Sequence, residues 1–287
     1  MRHFRITGAF LALSCLAAAG PLGADVRAEL GFGWSLAAPA LSTSYNNQFT
    51  PPMTPAANAL SSTAAQTVRL RGKITYGMSG FFNVLVNDTV GVQVLVDYFR
   101  PSLGGTNSDY AVNLTYYLTN PADQYVYSKQ GAWPNSRGDF SEASFSLNGL
   151  YRLPLSPVLA LSFSGGASVF SLKGQATPMG FWSYVLNQTG GVYMLTIKTY
   201  QLVYGFGPQT TAGINLGGEL SYTVLRMMVL ALDVRYFLSR RADVRMNITP
   251  NSGLTDPIEP IAQALNLGTI RIDPSYLRLS LTLRFKF

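Results

Sequence analysis

The chain has 287 residues, 47% of them hydrophobic and only 12% charged, with 21 Lys and Arg against 14 Asp and Glu. Soluble domains carry about 25% charged residues, which argues against an ordinary water-soluble enzyme, and no apolar run after residue 25 reaches the ~18–20 residues of a spanning helix. A charge-poor, apolar chain without such helices predicts a transmembrane β-barrel, whose apolar surface is spread over alternate positions of many strands.

The N-terminal segment is set apart. Arg2 and Arg5 precede a nearly unbroken apolar or small stretch, Ile6 to Ala19, and small residues up to Ala24 offer a cleavage site. This order is that of a secretory signal peptide, so residues 1–24 are expected to be removed and 25–287 to form one barrel domain. The single His (His3) and single Cys (Cys15) both fall in the leader. A mature chain with neither excludes disulfides, Cys/His metal sites and catalysis by a His base. No cofactor is expected. Losing Arg2 and Arg5 takes the charge balance from 21 − 14 = +7 to 19 − 14 = +5. No Lys/Arg-rich block remains, so nucleic acid is not an expected partner.

Eight segments then alternate with period two, which puts apolar side chains on one face and polar ones on the other. The first has Val26, Leu30, Phe32, Trp34 and Leu36 outward, with Arg27 and Glu29 on the opposite face. The second runs roughly from Lys73 to Val86 and turns at Asn87-Asp88 into the third, with Val90 to Tyr98 outward and Gln93 and Asp97 inward. The fourth has Phe145, Leu147 and Tyr151 outward, with Glu142, Asn148 and Arg152 inward; Pro154 to Pro157 then turns into the fifth, with Leu159 to Val169 outward. The sixth has Ile214 to Tyr222 outward and Asn215 and Glu219 inward, and the seventh has Met228 to Leu238 outward with Asp233 and Arg235 inward. In the eighth, Leu277, Leu279, Leu281, Leu283, Phe285 and Phe287 alternate with Arg278, Ser280, Thr282, Arg284 and Lys286. Nothing follows to cover its oily face, so lipid is the expected neighbour.

Connections alternate between tight turns and segments of roughly 30–40 residues, as expected of a single antiparallel up-and-down barrel with short periplasmic turns and long extracellular loops. Eight strands leave an interior that side chains can fill. Outward rings near the strand ends (Trp34, Tyr76, Tyr98 and Tyr236; Tyr151, Tyr222 and Phe287) suit the two aromatic girdles of such barrels. Ala37 to Val68, rich in Ser, Thr, Asn and Pro, reads as a mobile surface loop. Phe181 to Phe206, around Thr189-Gly190-Gly191, and Tyr110 to Tyr127 read as hairpins. They are expected to extend the wall or, if both join the barrel, to raise its count to twelve. Pro257 to Leu267 is expected to form a short helix.

Together, the leader, the eight alternating strands and the terminal Arg284-Phe285-Lys286-Phe287 resemble the small outer-membrane β-barrels of the OmpA-membrane-domain, OmpX, opacity and OmpW types. The resemblance covers about residues 25–287 and is specific for architecture. It implies a bacterial outer-membrane location, contact with outer-membrane lipid and lipopolysaccharide, and delivery by periplasmic chaperones to the barrel-assembly machinery. Leu281, Leu283, Phe285 and Phe287 stand as the assembly signal. Unlike full-length OmpA, the sequence carries no peptidoglycan-binding domain after the last strand.

Enzymatic relatives of such barrels use His with Ser or Asp, so no enzyme is expected here. The inward carboxylates Glu29, Asp97, Glu142, Glu219 and Asp233 match the inward cations Arg27, Lys73, Arg152, Arg235, Arg278, Arg284 and Lys286, which predicts an ion-paired lumen, since buried charges persist only when paired. Function then lies in a structural or surface-interaction role of the outer loops toward an extracellular partner. The alternative is a narrow porin-like channel, for which small inward residues such as Gly31, Gly33 and Gly217 leave room. Arg240, Arg241 and Arg245, just past the outer end of the seventh strand, are candidates for lipopolysaccharide phosphates.

Overall fold

Alternation decides which way each strand faces, and the backbone follows it. A computed structural model describes residues 26–105, 108–132, 136–249, 258–265 and 267–287. The expected signal peptide lies outside the described residues. β1 (Val26–Pro39) leads into β2 (Ser42–Phe49), the two-residue β3 (Met53–Thr54), a 3-10 turn at Ala56–Asn58 and β4 (Ala59–Gly72). β5 (Thr75–Val86) and β6 (Val90–Phe99) form a hairpin, followed by β7 (Ser102–Gly105), β8 (Asp109–Tyr117) and β9 (Gln124–Ala132). β10 (Arg137–Pro154) precedes the long pair β11 (Leu159–Thr189) and β12 (Val192–Leu225). The remainder is β13 (Met228–Ser239), β14 (Ala242–Arg245), β15 (Asn247–Thr249), helix α1 (Ile258–Leu265), β16 (Thr269–Ile272) and β17 (Tyr276–Lys286).

Each alternating segment lies in one of eight strands that pair antiparallel in a closed cycle. β1 pairs β5, β5 pairs β6, β6 pairs β10 and β10 pairs β11. β11 pairs β12, β12 pairs β13, β13 pairs β17, and β17 returns to β1. One end of the ring has only tight connections. At Asn87 and Asp88 φ is 52° and 56°, the left-handed conformation that these two residue types tolerate best after glycine.

The other end carries a folded head. β11 and β12 are 31 and 34 residues long, whereas a membrane span takes about 9–11. Their outer halves therefore rise well past the ring and meet at Gly190-Gly191, with φ of 60° and 81°. The Phe181–Phe206 hairpin is thus the continuation of two ring strands and adds no strand to the ring. Tyr110–Tyr127 is a hairpin as expected, β8 with β9, but it pairs with β4 in the head sheet.

Ala37 to Val68, expected as a mobile loop, is largely strand: β2 pairs β4 from Ser42↔Arg71 to Phe49↔Ala64. Alternation is present there too. Tyr45, Phe49, Ala64, Val68 and Leu70 face a buried core, together with the buried side chains of Thr43, Asn47, Ser62 and Gln66, while Ser42, Ser44, Asn46, Gln48, Ser61 and Thr63 face out. Polar residues on both faces give the segment its loop-like composition.

The head core gathers Leu41, Tyr45, Phe49, Trp182, Tyr184, Tyr204 and Val244, with Ile261 and Leu265 of α1. Phe49 stacks on Phe181 and Trp182 at 5.7 and 6.1 Å between ring centres, and Tyr110 lies 5.3 Å from Trp182. Loss of water pushes the Tyr45 phenol up to about 12, against the opposing hydrogen bond from the Asn47 amide. Trp182→Ala, at a buried site at the centre of this core, is expected to cost the head about 3–5 kcal/mol. Hydrogen exchange should show accelerated opening of β2, β4 and the outer halves of β11 and β12, with the ring strands unchanged.

Candidate functional site

The inward face of the ring is filled in layers. Near the tight turns, Arg152 of β10 makes a two-pronged contact with Glu29 of β1, at 2.8 and 2.7 Å. Asn83 donates to the same carboxylate at 3.1 Å, and Arg284 approaches it at 3.1 Å. Arg284 also lies 2.9 Å from Glu219 of β12 as an ion pair, although the approach is out of line for a hydrogen bond. One cluster thus ties together strands from around the whole ring.

The middle layer hangs on Arg278 of β17, which bridges Asp97 of β6 and Asp233 of β13. Arg235 joins Asp233 at 3.2 Å, the Asn215 carbonyl oxygen at 2.5 Å and Ser164 at 2.5 Å. From Asn215 a relay of amides continues to Asn148 at 2.7 Å and on to Gln93 at 3.0 Å. Four arginines (Arg152, Arg235, Arg278, Arg284) meet four carboxylates (Glu29, Asp97, Glu219, Asp233). These charges are largely buried, where a carboxylate or guanidinium persists only with its partners in place.

Above them lies an aromatic layer. Tyr276 stacks on Phe237 at 4.3 Å and meets Phe99 edge-on at 4.6 Å; Phe170 closes the third side. The Tyr276 hydroxyl bonds Ser144 at 2.9 Å. The small inward residues leave no gap. A Cβ at Gly31 would fall 2.2 Å from the Phe81 ring, and one at Gly217 would fall 2.9 Å from the Arg235 guanidinium. The room at these positions is the room that Phe81 and Arg235 occupy.

Four expected members do not join the network, among them Lys286, whose ammonium donates to the Thr223 hydroxyl at 3.4 Å. Lys73 precedes β5 and is exposed, its backbone N–H bonded to Ser102; the strand begins two residues later than the sequence suggested. Arg27 sits at the ring's tight-turn rim, exposed, 2.6 Å from Asp88. Glu142 is buried at the opposite end, level with Phe99, with neither carboxylate oxygen hydrogen-bonded. The Arg240–Arg245 group is exposed as expected, but Arg241 faces Asp273 at 3.7 Å, and the adjacent Arg271 pairs with Asp243 at 3.1 Å. Leu281, Leu283 and Phe285 line the outward face of β17 and lie opposite Trp34, Phe32 and Leu30 of β1.

The sequence reading missed the aromatic layer and the amide relay. Phe99, Phe170, Phe237 and Tyr276 occupy inward positions of their strands. A large ring at a position otherwise given to Ser, Asn or a charge was the available signal.

The outer face of the ring exposes Phe32, Trp34, Tyr76, Phe145, Leu216 and Leu281 among many other apolar side chains. An apolar outer wall around a polar interior is the build of an outer-membrane β-barrel protein. No protein-family model matches the chain, and no curated protein matches it in sequence. Solved structures similar to it include the attachment invasion locus protein Ail of Yersinia pestis, in complex with the heparin analogue sucrose octasulfate. That likeness has 10% identity and a TM-score of 0.37, over 92% of this chain and 99% of that one. The outer membrane protein OprG of Pseudomonas aeruginosa is similar at 11% identity and a TM-score of 0.40, over 92% and 97%. A major outer membrane protein of Thermus thermophilus is similar at 13% identity and a TM-score of 0.42, over 91% and 99%.

Arg278→Leu leaves Asp97 facing Asp233 in a buried site without their shared cation. It should destabilise the folded protein by about 3–5 kcal/mol, read as a lowered urea midpoint in lipid vesicles. An unchanged midpoint would mean that the middle layer is not held by this bridge.

Proposed function

We propose that the chain is an integral outer-membrane protein in which an eight-stranded barrel with a filled lumen anchors a folded head outside the cell, and that the head is a surface-interaction platform. The observation that carries this reading is the unbroken stack from the Glu29–Arg152 cluster through the Arg278 bridge to the Tyr276 layer. Solutes crossing such a lumen would have to break paired, buried charges. The paired state of Glu29, Asp97, Glu219 and Asp233 also argues against acid–base chemistry at these groups, which needs a free carboxylate within reach of substrate.

On this reading the tight turns face the periplasm and the head faces out. Residues 1–24 act as the secretory signal, and the outward apolar row of β17 ending at Phe287 serves recognition by periplasmic chaperones and the assembly machinery. Lipid covers the apolar belt. The head's core makes it a fixed shape rather than a set of mobile loops, which lowers the ordering cost of binding an extracellular partner.

Planar-bilayer conductance of the refolded mature chain should be silent, while a variant with Arg152→Ala and Arg235→Ala should show unitary steps. Reproducible steps in the unaltered protein would overturn the platform reading in favour of a narrow channel.

A further inference from the structure

We propose that a pocket on the outer wall, directly above the apolar belt, binds a phosphorylated saccharide. The pocket measures about 510 Å³ and is lined by Arg100, Asp139, Ser141, Lys173, Gln175 and Asn247 around a floor formed by Phe140 and Phe206. Its facing follows from strand parity, and its height from its place just past the belt residues of the same strands. Arg100 continues the outward row of Val96 and Tyr98, Ser141 and Asp139 continue that of Phe145 and Ala143, and Lys173 continues that of Val169 and Ser171. The pocket therefore opens sideways, where membrane headgroups would lie, and not at the summit of the head.

Its concavity has a structural cause. The pairing of β11 with β12 shifts register between Leu172 and Gly174, leaving Gly207 and Pro208 unpaired opposite Lys173. Such breaks re-aim side chains at barrel rims. Gly174 cannot be replaced without displacing a ring, since a Cβ there would lie 2.8 Å from Phe140. The cations are placed for a ligand. Arg100 is fixed over Tyr98, with Nε bonded to the Tyr98 hydroxyl at 2.5 Å and its guanidinium 5.6 Å from the ring centre. Among the described residues neither Arg100 nor Lys173 has a carboxylate within ion-pair distance, in contrast to Arg241 and Arg271, which do. Arg137 follows on the same wall, and Lys73 lies against Gly104, the cross-strand neighbour of Arg137. Guanidinium and ammonium groups bind phosphate. Asp139, Ser141, Gln175 and Asn247 supply the donors and acceptors that sugar hydroxyls need. The mixed lining favours a phosphate on a saccharide over a bare anion.

The source of that ligand, though not its chemistry, rests on the outer-membrane reading. The test uses the refolded mature chain in phosphatidylcholine vesicles, and its readout is the thermal midpoint of the heat-modifiable folded band. Diphosphorylated lipid A in the vesicles should raise the midpoint and dephosphorylated lipid A should not. The rise should disappear in Arg100→Gln/Lys173→Gln and persist in Lys129→Gln, which removes an exposed charge from the head. Glucose 1-phosphate added to vesicles free of lipid A separates the sources. No effect points to the membrane glycolipid, and an equal rise, again lost in the double variant, points to a soluble sugar phosphate; both support the proposal. An equal rise with the dephosphorylated lipid, no rise with either probe, or an unchanged rise in the double variant overturns it. Insertion is read from the folded band without any probe, so failure of the membrane reading shows separately from failure of the pocket.

Discussion

Everything in this structure depends on the closing pair, β1 with β17. From Glu29↔Lys286 to Pro39↔Tyr276 the two strands exchange backbone hydrogen bonds in unbroken register. In hydrocarbon an unpaired N–H or C=O costs several kcal/mol, and a sheet avoids that cost only by having no edge. Closure makes the outward row of apolar side chains a continuous belt, and the same closure forces the inward rows to face one another across a narrow interior. The eight-membered cycle therefore decides both what the outside can touch and what the inside must hold.

The inside holds charge, and charge there has to be matched. Arginine suits this task because its planar fork reaches two acceptors at once: Arg152 spans both oxygens of Glu29, and Arg278 reaches two strands' carboxylates. These contacts tie strands from around the ring into one column beneath the head. The outer halves of β11 and β12 serve as the shared backbone of ring and head. They run from the ring into the buried core around Trp182, and their pairing shifts register near Lys173, between the two.

Much of this was legible in the sequence because period two is a strong signal when each face meets a different medium. The eight ring segments, the tight turns and the matched inward charges all follow from it. The errors have physical reasons. Parity says which face a residue takes but not how far along the axis a strand begins, so Lys73 and Arg27, of inward parity at strand starts, lie at or beyond the lumen's rims. Sign matching cannot say which charges are within reach, so Glu142 has inward cations to match it in the sequence and no hydrogen-bond partner in the fold. The head is hard to read because Ser, Thr, Asn and Gln occupy both faces of β2 and β4, a composition shared with loops. The pocket beside Lys173 is invisible in the sequence, since it depends on a register shift that only cross-strand pairing reveals.

The central claim is that the outward apolar row meets lipid. With the chain's one cysteine in the expected leader, Leu216→Cys and Arg69→Cys variants of the mature chain can each carry a single bimane label. The label at Leu216, mid-belt, should be quenched by lipids brominated in their acyl chains and not by aqueous iodide, with the reverse at Arg69 in the head. Iodide quenching at Leu216 without bromolipid quenching would contradict that claim, because the belt would then face water.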